Sequence, residues 1–204
     1  MPDLETARLR LRRFTAEDAA ALADLHADPR VMRYIDDGKP VAREETVRRA
    51  LPRILDQYAQ VPVGLGRSAL VEKSSGRFLG WAGLGPSSSV GLAAGTDYEL
   101  GYRLHPDFWR RGYASEAARA LVDHAFAEHA LPRIVATTMT VNLGSRRVME
   151  NAGLRHVRTF FEQWSEYIEG AEHGDVEYAL DLETWQNETW QNETWQSETW
   201  QNPA

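Results

Sequence analysis

The chain has no cysteine, almost no lysine and no long apolar run. Without cysteine, disulfides, thiolate metal sites and a cysteine nucleophile are all excluded. Lysine occurs only at Lys39 and Lys73 among 23 basic residues, so positive charge is carried almost wholly by arginine. No apolar stretch approaches the roughly 20 residues a membrane helix needs, and the opening MPDLETARLRL lacks the apolar centre of a secretory signal. The expectation is a cytoplasmic protein with no membrane partner. Neither G-x-x-x-x-G-K-[ST] nor a G-x-G-x-x-G following a strand occurs, which counts against ATP and dinucleotide sites. H-E-x-x-H is also missing, and His124 and His129 are poorly spaced for a shared metal, so no metal is expected. Ser87, Ser88 and Ser89 lack the G-x-S-x-G context of a hydrolase.

What is present is ordinary for a globular chain: 204 residues, 43% hydrophobic and 26% charged. That is enough for one well-buried core and too little for two full domains. The formal charge is −7, of which Glu183, Glu188, Glu193 and Glu198 contribute four; the remaining body is mildly acidic, which argues against nucleic acid as a partner. Those glutamates belong to ETWQN-ETWQN-ETWQS-ETWQN over 183–202. A five-residue period matches neither 3.6 nor 2, so its tryptophans cannot share one face of a straight helix or strand. Two units are therefore expected: a folded domain over 1–182 and a low-complexity tail over 183–204, disordered or serving self-association. The Asn-Glu-Thr sequons in it are not read as glycosylation sites without a secretory signal.

Along the body, RLRLRRF alternates arginine with Leu9 and Leu11 at strand period. Thr15 precedes AEDAAALADLHAD, with Asp18 at the fourth place of a capping box, and predicts a helix ending near Asp28-Pro29. Residues 42–60 are helical in composition, with Pro52 forcing a kink or division. RSALVEK and RFLGWAGL flank Ser74-Ser75-Gly76 as a hairpin, and GPSSSVGLAAGT reads as a loop. DYELGYRL is an amphipathic strand, with Asp97, Glu99, Gly101 and Arg103 on its polar face. RIVATTMTV is a β-branched strand; Asn142 then caps LGSRRVMENAG, where Gly153 supplies the left-handed exit. LRHVRTFFEQW and DVEYALDLE close the domain as strands. The order is α+β or mixed α/β.

The stretch that carries chemistry is HPDFWRRGYASEAARALVDHAF, 105–126. Ala114, Ala117, Ala118, Leu121, Val122, Ala125 and Phe126 make one apolar helical face, with four small residues that let the helix lie close on a sheet. At its N-terminus, unpaired N–H groups and the positive end of the macrodipole meet Gly112, where the backbone turns without a Cβ, and the charges of Arg110 and Arg111. That combination suits a phosphate or pyrophosphate.

YELGYRLHPDFWRRGYASEA, followed about thirty residues later by NLGSRRVMENAGLRHV, resembles the GNAT acetyltransferases, and within them the ribosomal-protein N-terminal acetyltransferases of RimJ/RimL type. The opening LETARLRLRRFTAEDAAALADLHADPRVMRYI is similar to the same branch. The resemblance implies a GNAT acyl-CoA N-acyltransferase fold, a central mostly antiparallel twisted sheet with flanking helices. It implies acetyl-CoA as co-substrate, an amine acceptor (a peptide N-terminus or small molecule) and a monomer or homodimer. The family's pyrophosphate loop falls on Trp109-Arg110-Arg111-Gly112-Tyr113-Ala114, extended by Ser115, with Arg110 where many relatives have glycine. Tyr102, Arg103 and Leu104 are implied as backbone contacts to pantetheine and the thioester carbonyl, and Asn142 as a CoA contact. Glu99 is implied as the base, with Asp97 as its alternative, and Ser145 as donor to the departing thiolate. Tyr34 and Trp164 are placed at the acceptor pocket by analogy. A different class stays open: a CoA-binding regulatory module without turnover, associating through its tryptophan tail.

Overall fold

The computed structural model describes residues 3–87, 97–161 and 167–188. Its eight strands are β1 (Leu4–Glu5), β2 (Leu9–Arg13), β3 (Gly66–Glu72), β4 (Phe78–Pro86), β5 (Asp97–Leu104), β6 (Arg133–Met139), β7 (Arg155–Phe160) and β8 (Asp175–Asp181). They form one sheet in the order β1-β2-β3-β4-β5-β6-β8-β7. Every neighbouring pair is antiparallel except β5 and β6. In β2 the alternation sends Leu9 and Leu11 into the core and the arginines outward. The hairpin between β3 and β4 turns through 73–77, with Gly76 at φ +70°.

Helices cover both faces of the sheet. The first, α1 (Ala19–Ala27), follows a 3-10 turn at Ala16–Asp18. Asp18 starts it by accepting from the Thr15 N–H at 2.8 Å and pairing with Arg12 at 2.7 Å. Asp28 ends it, and its carboxylate caps the short α2 (Pro29–Met32) by accepting from the Arg30 N–H. Over 43–57 the helix is divided as Pro52 demands, into α3 (Arg43–Glu45), a π turn (Thr46–Ala50) and α4 (Leu51–Gln57). The wide turn absorbs the misfit of a ring that clashes with the carbonyl one turn back: the Leu51 N–H reaches Thr46 O instead of the ordinary partner. These helices pack Leu22, Leu25, Leu51 and Ile54 against Phe14, Ala69 and Trp81.

On the other face lies α5 (Tyr113–His129). Ala117, Ala118, Leu121, Val122, Ala125 and Phe126 are all buried, and Ala114 is half-buried against them. Burying Leu121, Val122 and Phe126 contributes about 1.5–3 kcal/mol each. α6 (Leu143–Asn151) starts at Asn142 and exits through Gly153 at φ +94°.

Two features differ from the sequence expectation. Asp97 is buried, since its carboxylate meets Arg133 at 3.3 Å; Arg133 also meets Glu177 at 3.2 Å, and Arg158 meets Glu177 at 2.7 Å. This ion-pair network locks β5, β6, β8 and β7 together and occupies Asp97, so the alternative base is withdrawn. The folded chain also continues past 182. Residues 182–188 are helical; Trp185 lies against Phe126 with ring centroids 5.5 Å apart and donates from Nε1 to Asp123 at 2.9 Å. One repeat unit thus packs on α5, because a single tryptophan needs no periodicity to find an apolar groove. The loop from 88 to 96, Trp164 and the repeats from 189 onward lie outside the described residues.

Candidate active site

The site begins where two parallel strands part. β5 and β6 pair only at Asp97 with Arg133, Tyr98 with Ile134 and Glu99 with Val135. Beyond Glu99, β6 continues on β8 and β5 continues on β4. The Ser87 N–H donates to Asp97 O and the His105 N–H to Leu79 O, so the odd-numbered residues of β5 turn their backbone groups toward β4. Those of Leu100, Tyr102 and Leu104 therefore face the gap. Leu104 O accepts from Trp109 Nε1 at 2.7 Å, which fastens the following loop to the end of the strand.

That loop runs through a 3-10 turn (Pro106–Phe108) to Gly112, the N-cap of α5. Gly112 has φ +80° and ψ 0°, a left-handed conformation a Cβ would strain, and Arg110 adopts φ +60°. The expected glycine-to-arginine departure therefore falls on a position whose backbone favours glycine. The Arg110 and Arg111 side chains are exposed, and neither has an ion pair among the described residues. The first turn of α5, whose N–H groups have no partner within the helix, follows directly after them.

Across the gap stands α6. The Tyr102 hydroxyl lies 2.8 Å from Ser145 O and 2.9 Å from Ser145 Oγ, so two predicted residues meet in one hydrogen-bond cluster. Burial holds the Tyr102 phenol above its ordinary pKa, against a smaller opposing effect of the Ser145 hydrogen bond, and keeps it a neutral donor. Asn142 Oδ1 accepts from the Ser145 N–H at 3.2 Å while Nδ2 donates to Thr138 Oγ1 at 3.1 Å, so Asn142 acts as the cap that sets Ser145 at the first turn. Ser115 Oγ accepts from Asn151 Nδ2 at 3.1 Å, tying the start of α5 to the end of α6.

On the opposite face of the sheet, Glu99 Oε1 accepts from Thr137 Oγ1 at 3.3 Å, across the fork. Arg103 departs from its expected place: its carbonyl turns to Gly80 on β4, and its side chain lies under α2, near Met32 Sδ at 3.6 Å. Burial and the neighbouring Arg67 lower its pKa to about 10, against an upward pull from Asp36. His26, buried in α1, is pushed down to about 4 by desolvation and by Arg103 and Arg67. Tyr34, expected at the acceptor pocket, sits with its ring 5.2 Å from the Arg33 guanidinium.

The family model for the acetyltransferase (GNAT) domain matches residues 8–155. The chain belongs to the GNAT acetyltransferases. The chain is 36% identical over 187 residues to an FsC-acetyl coenzyme A-N(2)-transacetylase of Aspergillus fumigatus, covering 90% of this chain and 78% of that one. Among solved structures, a GNAT-family acetyltransferase from Bacillus anthracis superposes with a TM-score of 0.68 at 26% identity, covering 89% and 99%. A ribosomal-protein-S5-alanine acetyltransferase from Vibrio fischeri superposes at 0.70 with 17% identity, covering 90% and 98%, and shares the fold. This GNAT chain is an acetyl-CoA-dependent acetyltransferase.

The residues fit that co-substrate. A left-handed glycine at a helix N-terminus, two exposed guanidiniums and a gap lined by strand backbone accept a diphosphate followed by an amide-bearing arm. The GNAT loop also has a brace that motif reading missed. Arg8 donates from Nε to Glu116 Oε2 at 2.6 Å and from Nη1 to Arg111 O at 2.9 Å, and its guanidinium lies 4.4 Å from the Tyr113 ring centroid. Glu116 also accepts from the Thr6 hydroxyl and the Arg8 N–H. Burial opposes ionisation of Glu116, but these donors outweigh it and hold its pKa below the usual range. The signal lies more than 100 residues apart in sequence, which no local pattern reveals.

Proposed function

We propose that the chain transfers the acetyl group of acetyl-CoA to a primary amine, of a peptide N-terminus or a small molecule, by direct attack with both substrates bound. The observation that carries the reading is the position of Glu99: it is the last residue of the β5–β6 pairing, at the point where the strands open, on the face away from α5. In this reading Gly112 and the first turn of α5 bind the diphosphate, and the gap-facing backbone of Tyr102 and Leu104 orients the pantetheine arm. The carboxylate of Glu99 takes the proton that the amine must lose. For an α-amine of pKa about 7.7–8.0, deprotonation at pH 7 costs only about 1 kcal/mol, so a modest base suffices. Ser145, coupled to Tyr102, donates a hydrogen bond to the departing sulfur. A serine hydroxyl is too weak an acid to protonate a thiolate of pKa about 8.5 outright, and the buried phenol is too, so the pair stabilises the thiolate by hydrogen bonding and the sulfur takes its proton from solvent.

A protein N-terminus as acceptor has a precedent among proteins of this fold in the Vibrio fischeri enzyme, and the N(2)-transacetylase relative, by its name, acetylates at a nitrogen. A thiol-release assay with acetyl-CoA against peptides, polyamines, amino acids and aminoglycosides tests the proposal. Acceptor-dependent CoA production above hydrolysis is expected. Tight acetyl-CoA binding with no acceptor-dependent release would instead support a binding module.

A further inference from the structure

Resting on the reading of the Glu99 face as the acceptor face, we propose that the acceptor is a small amine that also carries a carboxylate, held by Arg67 and Arg103. Strand register puts these groups together. Ala69, Trp81 and Arg103 stand in one row across β3, β4 and β5; Arg67, Gly83 and Gly101 form the next; Gly85 and Glu99 lie in the row after that. All project from one face, because side chains two apart on a strand share it. Gly83 and Gly101 leave the middle row without side chains on β4 and β5. A Cβ at Gly101 would meet the Trp81 ring at 3.4 Å, and one at Gly83 would strike the Gly66 carbonyl at 2.4 Å. The result is a backbone floor with a guanidinium on two sides and Glu99 at its far end.

Both guanidiniums lie against one indole, Arg67 at 4.8 Å and Arg103 at 5.5 Å from the Trp81 centroid. Flat cations placed on an aromatic wall are pre-organised for bidentate contact with a planar anion. Their own counter-charges are meagre. Arg67 feels Asp36 and Glu99 only at a distance, with no ion pair within 4 Å among the described residues, and Arg103 reaches Asp36 at 4.0 Å, with the Asp36 side chain 75% exposed. An ion pair so long and so wet contributes little. The other carboxylate on the floor is Glu99, which accepts from Thr137, stands one row from Arg67 and in this reading meets the acceptor's ammonium. His26 behind the two arginines stays neutral at pH 7. Two guanidiniums crowded on one indole, with only a long and solvent-exposed contact to Asp36 and the more distant Glu99 to offset them, gain from a further anion, and a carboxylate on the acceptor supplies it. Along β5, Glu99 and Arg103 are separated by four residues, roughly 13 Å at the backbone, and Arg67 stands at the intermediate row. The long arginine side chains shorten that span, so ammonium and carboxylate belong on one small molecule.

The test uses full-length protein and two matched series, the ω-amino acids from glycine to 6-aminohexanoate and their carboxamides, with kcat/KM measured from CoA release. The expected result is a preference of at least about tenfold for one or more acids over the matching amides, as expected when a site built for a polar group rejects the analogue lacking it. That preference should collapse, through KM, in Arg67→Gln and Arg103→Gln. Acetyl-CoA titration checks that the variants are folded, and Arg103→Lys, which keeps charge but loses the fork, should fall between. Equal use of acids and amides, or a preference that survives both substitutions, overturns this inference and leaves the acetyltransferase reading standing. If no amine of either series turns over, the acceptor-face reading fails separately. Ligand-detected NMR of 4-aminobutyrate then decides the carboxylate site: binding lost in the glutamine variants supports it, and binding absent or unchanged overturns it.

Discussion

His26 offers the sharpest quantitative prediction. It is buried in α1, with Nδ1 3.5 Å from Thr46 Oγ1, and Nε2 has no hydrogen-bond partner among the described residues. Desolvation, helped by Arg103 and Arg67, takes its pKa from 6.5 down to about 4. The unfolded chain therefore binds this proton first as pH falls. The stability associated with a neutral His26 is complete above pH 6.5, declines between 6.5 and 4, and levels off below. A shift of this size corresponds to about 3 kcal/mol in full and about 2 kcal/mol at pH 5. Urea unfolding followed by tryptophan fluorescence at pH 8 and pH 5, on the wild type and on His26→Leu, isolates the effect. The variant should shed about 2 kcal/mol of the pH-dependent loss whatever its absolute stability. The comparison also separates His26 from His124, which burial and His129 likewise hold below the ordinary value. Against the opposing effect of burial, Asp18 is held below the ordinary carboxylate range by Arg12 and Glu116 by Thr6 and Arg8; both stay ionised in both states between pH 8 and 5 and lose their contribution only at lower pH. Parallel pH–stability curves for the two proteins would refute the assignment.

Glu99→Gln should lower kcat by about 10²–10⁴-fold while acetyl-CoA affinity, read by calorimetry, stays within a factor of two or so; full activity would remove Glu99 as the base. Gly112→Ala should raise KM for acetyl-CoA about tenfold, since a left-handed φ of +80° costs a non-glycine residue about 1–2 kcal/mol, while the nearby Arg8 Nη2, 3.3 Å from the new Cβ, is free to shift. Arg8→Ala should weaken acetyl-CoA binding without touching the diphosphate directly, and a variant that binds as wild type would show that the loop holds its shape unaided. Trp185→Ala should lower thermal stability by about 1–3 kcal/mol through lost packing on Phe126, whereas truncation after residue 188 should leave the midpoint unchanged; equal effects would place the stabilising contacts further along the tail.

Much of this was legible in the chain because the signals are local. The apolar stripe of α5, the Asn142 cap, the Gly153 exit and the Thr15–Asp18 start each depend on residues within a turn or two of one another. The partial separation of β5 and β6 was not read from the chain, because register between strands thirty residues apart leaves no trace in either one; the resemblance implied only that the Tyr102–Leu104 backbone meets the co-substrate. The same limit hid the Arg8–Glu116 brace. It also turned Asp97 from an exposed carboxylate into a buried one: alternation says which face a side chain takes, not whether Arg133 and β8 arrive to cover that face. Trp185 was misjudged for a related reason. The repeat's period rules out a common face for four tryptophans, yet a groove on α5 asks for only one.

The two faces of β5 differ in how they treat charge, and this divides the chemistry. Toward α5 and α6 the strand offers apolar side chains, a neutral phenol and backbone dipoles, with full charges kept at the solvent-exposed loop around Arg110 and Arg111. Toward α1 and α2 it offers Glu99, Arg103 and, one strand over, Arg67 beside Trp81. A ligand whose charge is concentrated at its diphosphate end and whose reactive arm is neutral matches the first surface from loop to gap. The second surface suits a partner charged at both ends. Charges on opposite sides of a sheet interact weakly compared with those sharing a face, so each ligand can be selected by its own surface and the two meet only at the fork beside Glu99. Arg103→Gln should therefore alter discrimination among amines far more than it alters acetyl-CoA affinity, even though residue 103 lies between two residues whose backbone faces the gap.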